Sequence, residues 1–125
     1  MKKILILFSI FFYFCTNLYA QEFKLEKVVN GLDKPWRLSF IDNNRVLITE
    51  KPGNLLIFNL QDKKINKINH NLSLKAVNQG GLLDVLYKNN SVWVSYSENR
   101  GNWNTSTSVA LGKFNEKNIE FKNIF

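Results

Sequence analysis

Gln79-Gly80-Gly81-Leu82-Leu83-Asp84-Val85 brings a side-chain amide, two adjacent glycines and a carboxylate into one short stretch. Glycine has no Cβ, so the pair permits positive φ and lets another group approach the backbone closely. An amide donates and accepts hydrogen bonds without a charge that must be desolvated, so Gln79 suits contact with an uncharged polar ligand. Taken alone, the residues favour the plainer reading, in which Gln79 caps a turn at a strand entry. Asp84 can serve as an acid or a calcium ligand, but an Asp beside a Gly-Gly turn more often bonds nearby backbone amides.

The remaining candidates are few. His70 is the only histidine, and histidine is the commonest general base. It falls in the polar stretch 66–71 and reads as an exposed connector residue. There is no glycine-rich phosphate loop, no Ser-His-Asp order that can be placed and no His/Cys metal spacing. Asn71-Leu72-Ser73 and Asn104-Thr105-Ser106 are formal glycosylation sequons, which matter only where exported proteins are glycosylated.

The elements that must position these residues are short. Apolar runs at 38–40, 46–49, 55–58 and 65–68 are separated by Asp42-Asn43-Asn44, by Lys51-Pro52-Gly53-Asn54 and by the polar residues 59–64. Strand length, β-branched and aromatic content, and Asn, Asp, Gly or Pro at the ends mark each run as a β-strand. The order then repeats: 82–87, the turn Lys88-Asn89-Asn90, 92–96, the loop 97–104, 109–114, the turn 115–118, and a last strand through Ile119, Phe121 and Ile124. A shift of ~47 residues places Phe40 on Tyr87, Asn43 on Asn90 and Leu47 on Val94, a period in the range of propeller blades. No helical periodicity is sustained beyond the first residues, so the fold class is all-β. Two successive four-stranded blades of a β-propeller account for the pattern.

A blade needs a neighbour on each face, and known propellers close with about four to eight of them. Residues 21–125 therefore read as the incomplete N-terminal portion of a propeller domain. The alternative is a small β-sandwich complete at Phe125, which would leave an apolar edge at residues 119–125 exposed.

Residues 1–20 read as a signal peptide. Lys2 and Lys3 precede an apolar run at 4–14, and Asn17-Leu18-Tyr19-Ala20 supplies a polar turn and a small residue before the cut. The run falls short of the ~20 residues that span a bilayer, which favours cleavage over a stable membrane span. Phe12-Tyr13-Phe14 is too bulky to make Cys15 a lipid-attachment site. Cys15 is the only cysteine, so the mature chain has no disulfide, thiolate chemistry or cysteine-based zinc site. A periplasmic or secreted location follows. The formal net charge of +7 shrinks on cleavage, and the remaining Lys and Arg alternate with apolar residues. That spacing suits solvent-facing strand positions and argues against a nucleic-acid partner.

Gly31-Leu32-Asp33-Lys34-Pro35-Trp36, Thr49-Glu50-Lys51-Pro52-Gly53, the Gln79 motif and Val94-Ser95-Tyr96-Ser97-Glu98 occur in the order and spacing of a known family. Together they resemble the soluble PQQ-dependent glucose/sorbosone (aldose sugar) dehydrogenases, and the resemblance covers about residues 28–125. It implies a six-bladed propeller that holds PQQ near its axis. A sugar hydroxyl would lose its proton to a histidine base while hydride passes to the quinone. Calcium would polarise the quinone carbonyl, arginines would stabilise the cofactor's negative charge, and electrons would go to a downstream acceptor. By this resemblance Gln79 faces cofactor and substrate, both a catalytic and a cofactor-binding position. The histidine base, the cofactor-binding arginines and the calcium ligands map beyond Phe125, so this chain alone is expected to be inactive. Trp36 is expected to pack between blades and Pro52-Gly53 to form a tight turn. Arg37 departs from the small residue usual after that Trp. The rival function is a non-catalytic exported propeller that binds carbohydrate or protein.

Overall fold

A computed structural model describes residues 23–125; the expected signal peptide lies outside them. β1 (Pro35–Phe40), β2 (Arg45–Glu50), β3 (Asn54–Asn59) and β4 (Ile65–His70) run as an antiparallel meander. β5 (Leu82–Lys88), β6 (Ser91–Asn99) and β7 (Thr105–Lys113) form a second meander, to which β9 (Phe121–Asn123) adds antiparallel to β7. Local chemistry sets the turns. Between Lys88 and Ser91 a two-residue hairpin places Asn89 at φ 51° and Asn90 at φ 59°, and asparagine is among the few residues that tolerate this pair of positive angles.

One core cluster spans both sheets. Leu47, Leu55, Ile57 and Ile68 from the first pack with Val85, Val92, Val94, Tyr96 and Ala110 from the second. On β6 the buried residues alternate, as expected of a strand with one covered face. On β2 they do not, because Val46 and Ile48 pack on the opposite face with Leu56 and Phe58, under Val29, Leu32 and Leu60. The outer surfaces stay bare: Leu38 and Phe40 of β1, Leu86 of β5, and Ile124 and Phe125 are exposed. This is the packing of adjacent propeller blades, each burying one face on the next. It is not the closed interior of a free-standing sandwich.

Two expectations change, and a third residue is placed. The last strand is not continuous but breaks at Glu120. Before the break, β8 (Asn118–Ile119) pairs parallel with β4, through Asn69↔Asn118 and His70↔Ile119, and so ties the two blades together. After it, the Asn71 amide mimics a strand, donating to the Phe121 carbonyl at 3.1 Å and accepting from its N–H at 2.8 Å. Trp36 does not sit between these two sheets but on the outer face, where a further blade would pack. A register shift in β1 between Pro35 and Arg37 turns it there, and it lines a shallow apolar depression with Val29, Leu32, Leu38 and Ile48. His70 is no loose connector residue but ends β4, half-buried, with its ring edge-on to Phe121.

Candidate functional site

The Gln79 loop lies at one end of the two sheets, in the connector between β4 and β5. Both its ends are tied to one residue. Lys75 N–H donates to the Ser97 carbonyl at 2.9 Å, and Ser97 N–H donates to the Gly81 carbonyl at 2.8 Å. Between those ties, Gly80 N–H closes a turn onto the Val77 carbonyl at 2.7 Å, with Asn78 at φ 50°. A Cβ at Gly80 would sit 2.7 Å from Ser97 Oγ. Gly81 has φ 149°, and a Cβ there would overlap the Lys51 carbonyl oxygen. Space therefore demands a glycine at 81, while a side chain at 80 would have to displace the Ser97 hydroxyl. The loop they shape leaves Gln79 exposed.

The other motif segments meet it by backbone hydrogen bonds. Leu82 N–H donates to the Lys51 carbonyl at 3.1 Å, and Lys51 N–H donates to the Lys34 carbonyl at 3.0 Å. Lys51 Nζ donates to the Asn78 carbonyl. The buried Glu50 carboxylate accepts from Asp33 N–H and from the Asn54 amide, both at 2.7 Å. Glu50 thus anchors the 31–34 turn, with its charge satisfied by donors. His70 Nε2 lies 2.8 Å from the Gly53 carbonyl, and Nδ1 lies 3.3 Å from Leu72 N–H. Since a carbonyl only accepts and an N–H only donates, Nε2 carries the proton and Nδ1 is the acceptor. His70 therefore braces the β2–β3 turn.

A second feature lies where the inner edge strands of the two sheets meet. In β5 a bulge sets Leu83 and Asp84 against the single residue Ser95, and bulges re-aim side chains. Asp84 Oδ1 accepts from Val85 N–H at 2.8 Å and lies 3.3 Å from Arg37 Nε, while Ser95 Oγ accepts from Asp84 N–H at 3.1 Å. The exposed ion pair adds little stability. Thr49 Oγ1 links the strands by donating to the Leu83 carbonyl at 2.5 Å.

Sequence reasoning passed over Ser97 as a holder of the loop, the Lys51 bridge and Trp103. The first two act through backbone atoms, which no residue type reveals. Trp103 did leave a signal, as a large aromatic alone in the polar loop 97–104. Among the described residues no three His, Cys, Asp or Glu side chains gather as a metal site. No helix among them is long and apolar enough to cross a membrane.

Two antiparallel four-stranded units, packed face to face with their motif turns gathered at one end, are blades of a β-propeller. The chain belongs to the glucose/sorbosone dehydrogenase family, whose model matches residues 32–125. It is 30% identical over 110 residues to the aldose sugar dehydrogenase YliI of Escherichia coli, covering 81% of this chain and 30% of that protein. A crystal structure of a glucose dehydrogenase is 33% identical, with a TM-score of 0.74, over 80% of this chain and 32% of the other. The PQQ-bound aldose sugar dehydrogenase of Streptomyces coelicolor shares the fold at 13% identity and a TM-score of 0.70, over 81% of this chain and 32% of the other. The chain thus spans about a third of the length of the relatives it matches.

Proposed function

We propose that this chain is the N-terminal part of an exported quinoprotein that oxidises a sugar hydroxyl, with PQQ as its cofactor and a separate electron acceptor downstream. Membership of a sugar dehydrogenase family supports the reading, as does a PQQ-bound protein of the same fold. Export rests on the signal-like pattern of residues 1–20, and places the protein in the periplasm or outside the cell. The observation that carries the proposal is the convergence of the 31–36, 49–53 and 79–85 motifs on one rim, with Gln79 left free to meet a ligand.

When bound, PQQ supplies the two-electron acceptor for the sugar's hydride. The Gln79 amide fits such a partner, since it can donate to a carbonyl or carboxylate and accept from a sugar hydroxyl. Its task is to bind and orient, with Gly80 and Gly81 fixing its backbone against Ser97 and Lys51. No proton transfer is assigned to the described residues, because His70 is committed to the turn it braces. The base and the calcium ligands are expected from later blades, and the chain by itself is expected to be inactive. The experiment is to supply the full-length protein with PQQ and calcium and follow dye reduction by aldoses. Reduction that requires both sugar and PQQ supports the proposal. Its absence, together with saccharide binding, favours a non-catalytic exported propeller.

A further inference from the structure

The β6–β7 loop carries a side chain that the fold does not need. Gly101, Asn102 and Trp103 have φ of 77°, 45° and 66° in succession. Hydrogen bonds close the loop from Asn104 N–H to the Gly101 carbonyl at 2.8 Å and from Arg100 N–H to the Asn104 carbonyl at 3.0 Å. Glycine and asparagine suit such angles, whereas a tryptophan there is a steric outlier. Trp103 is 85% exposed, so no core packing offsets that strain. Strain held in a loop without a packing reason points to use.

Its surroundings define the use. Lys75 Nζ sits 4.1 Å from the centre of the indole ring, a cation–π contact. The Lys75 backbone is held by its bond to Ser97, the residue that ties both ends of the Gln79 loop. Trp103 therefore stands on the same end of the second sheet as Gln79, with one ring face backed by an ammonium. Its neighbours Asn102 and Asn104 are polar and exposed. A protein partner would call for a contiguous apolar patch. One exposed aromatic plane flanked by hydrogen-bonding amides suits the stacking of a small ring that carries polar groups.

We propose that Trp103, backed by Lys75, is a stacking subsite for a further pyranose ring of an oligosaccharide whose reducing end is oxidised near Gln79. The apolar C–H face of the ring lies on the indole face opposite Lys75, and its hydroxyls meet the loop amides. The inference rests on the sugar-oxidising function proposed above and adds to it a residue that favours longer chains.

The test uses the full-length protein with PQQ and calcium and compares glucose with maltotriose. In Trp103→Ala the ratio of kcat/KM for maltotriose to that for glucose should fall about tenfold, mainly through KM, and Trp103→Phe should recover most of it. Calorimetric titration with methyl maltotrioside, blocked at its reducing end, should show a similar loss of affinity in Trp103→Ala. An unchanged ratio with an unchanged titration would overturn the subsite. If no sugar is oxidised, the proposed function fails and the titration alone decides: weakening in Trp103→Ala upholds the subsite, and no binding or no difference overturns it.

Discussion

Gly81 lies so close to Lys51 that any β-carbon on it would overlap the Lys51 carbonyl oxygen, the same atom that accepts a hydrogen bond from Leu82 N–H. The Gln79 loop of the second blade is thus seated on a turn of the first. Gly81→Ala adds one methyl group and also meets an unfavourable φ of 149°. The full-length protein should lose ~2–4 kcal/mol, since relief requires moving backbone rather than a side chain. Denaturant unfolding checks this, and a loss below ~0.5 kcal/mol would show that the two turns can part freely.

Asn71 joins the blades at the other end of the same connector. Its amide satisfies both polar groups of the Phe121 peptide, whose side chain is buried. Asn71→Ala should cost ~1–3 kcal/mol by leaving them unpaired. Amide exchange at Phe121 should quicken more than exchange in the centre of β6. Equal change at both sites would contradict a local clamp.

Tyr96 gives the fold an alkaline limit. Burial raises its hydroxyl above the ordinary value of 10.0, and that hydroxyl donates a 2.6 Å hydrogen bond to Asn123 Oδ1. A pKa raised by folding gives a contribution fully present below the unfolded value, about 10, and lost as pH rises through the folded one. Tyr96→Phe removes both the hydrogen bond and the ionisation. It should be less stable than wild type by ~1 kcal/mol near neutral pH, with the gap closing above about pH 10. Urea midpoints across that range provide the check, and a constant gap would be inconsistent with this account.

The bare faces set a limit on independent folding. Trp36, Leu38, Phe40 and Leu86 are about half exposed, and Trp103 and Phe125 far more so. Apolar surfaces on both outer sides favour association. Residues 21–125 produced alone should aggregate or unfold without a cooperative transition. A soluble monomer that melts cooperatively in calorimetry would contradict blade-like packing.

The strands were legible because each is a short apolar run between turn residues, and the ~47-residue shift carries β1 and β2 onto β5 and β6. That shift fails for the third and fourth strands, because the loop holding Trp103 is longer than the Lys51-Pro52-Gly53 turn. The break at Glu120 was hidden because Ile119 and Phe121 alternate like one strand, although one pairs with β4 and the other with β7. That Trp36 faces away from the second sheet was hidden, because a bulge turns it and residue type does not announce a backbone event. His70 was misjudged because its polar neighbours suggested a connector, while its actual partner, the Gly53 carbonyl, is remote in sequence. The glycines at 80 and 81 were readable as a site of close approach, but what approaches them is the same chain: the Ser97 side chain at Gly80 and the Lys51 backbone at Gly81.

Gln79→Ala in the full-length protein, supplied with PQQ and calcium, tests the central claim most directly. The side chain is exposed and outside the packing, so unfolding should shift by less than ~0.5 kcal/mol. With one hydrogen bond to the reacting partners removed, kcat/KM for aldose oxidation should fall about tenfold or more. An unchanged kcat/KM would reduce Gln79 to a turn residue and detach the proposed activity from this rim.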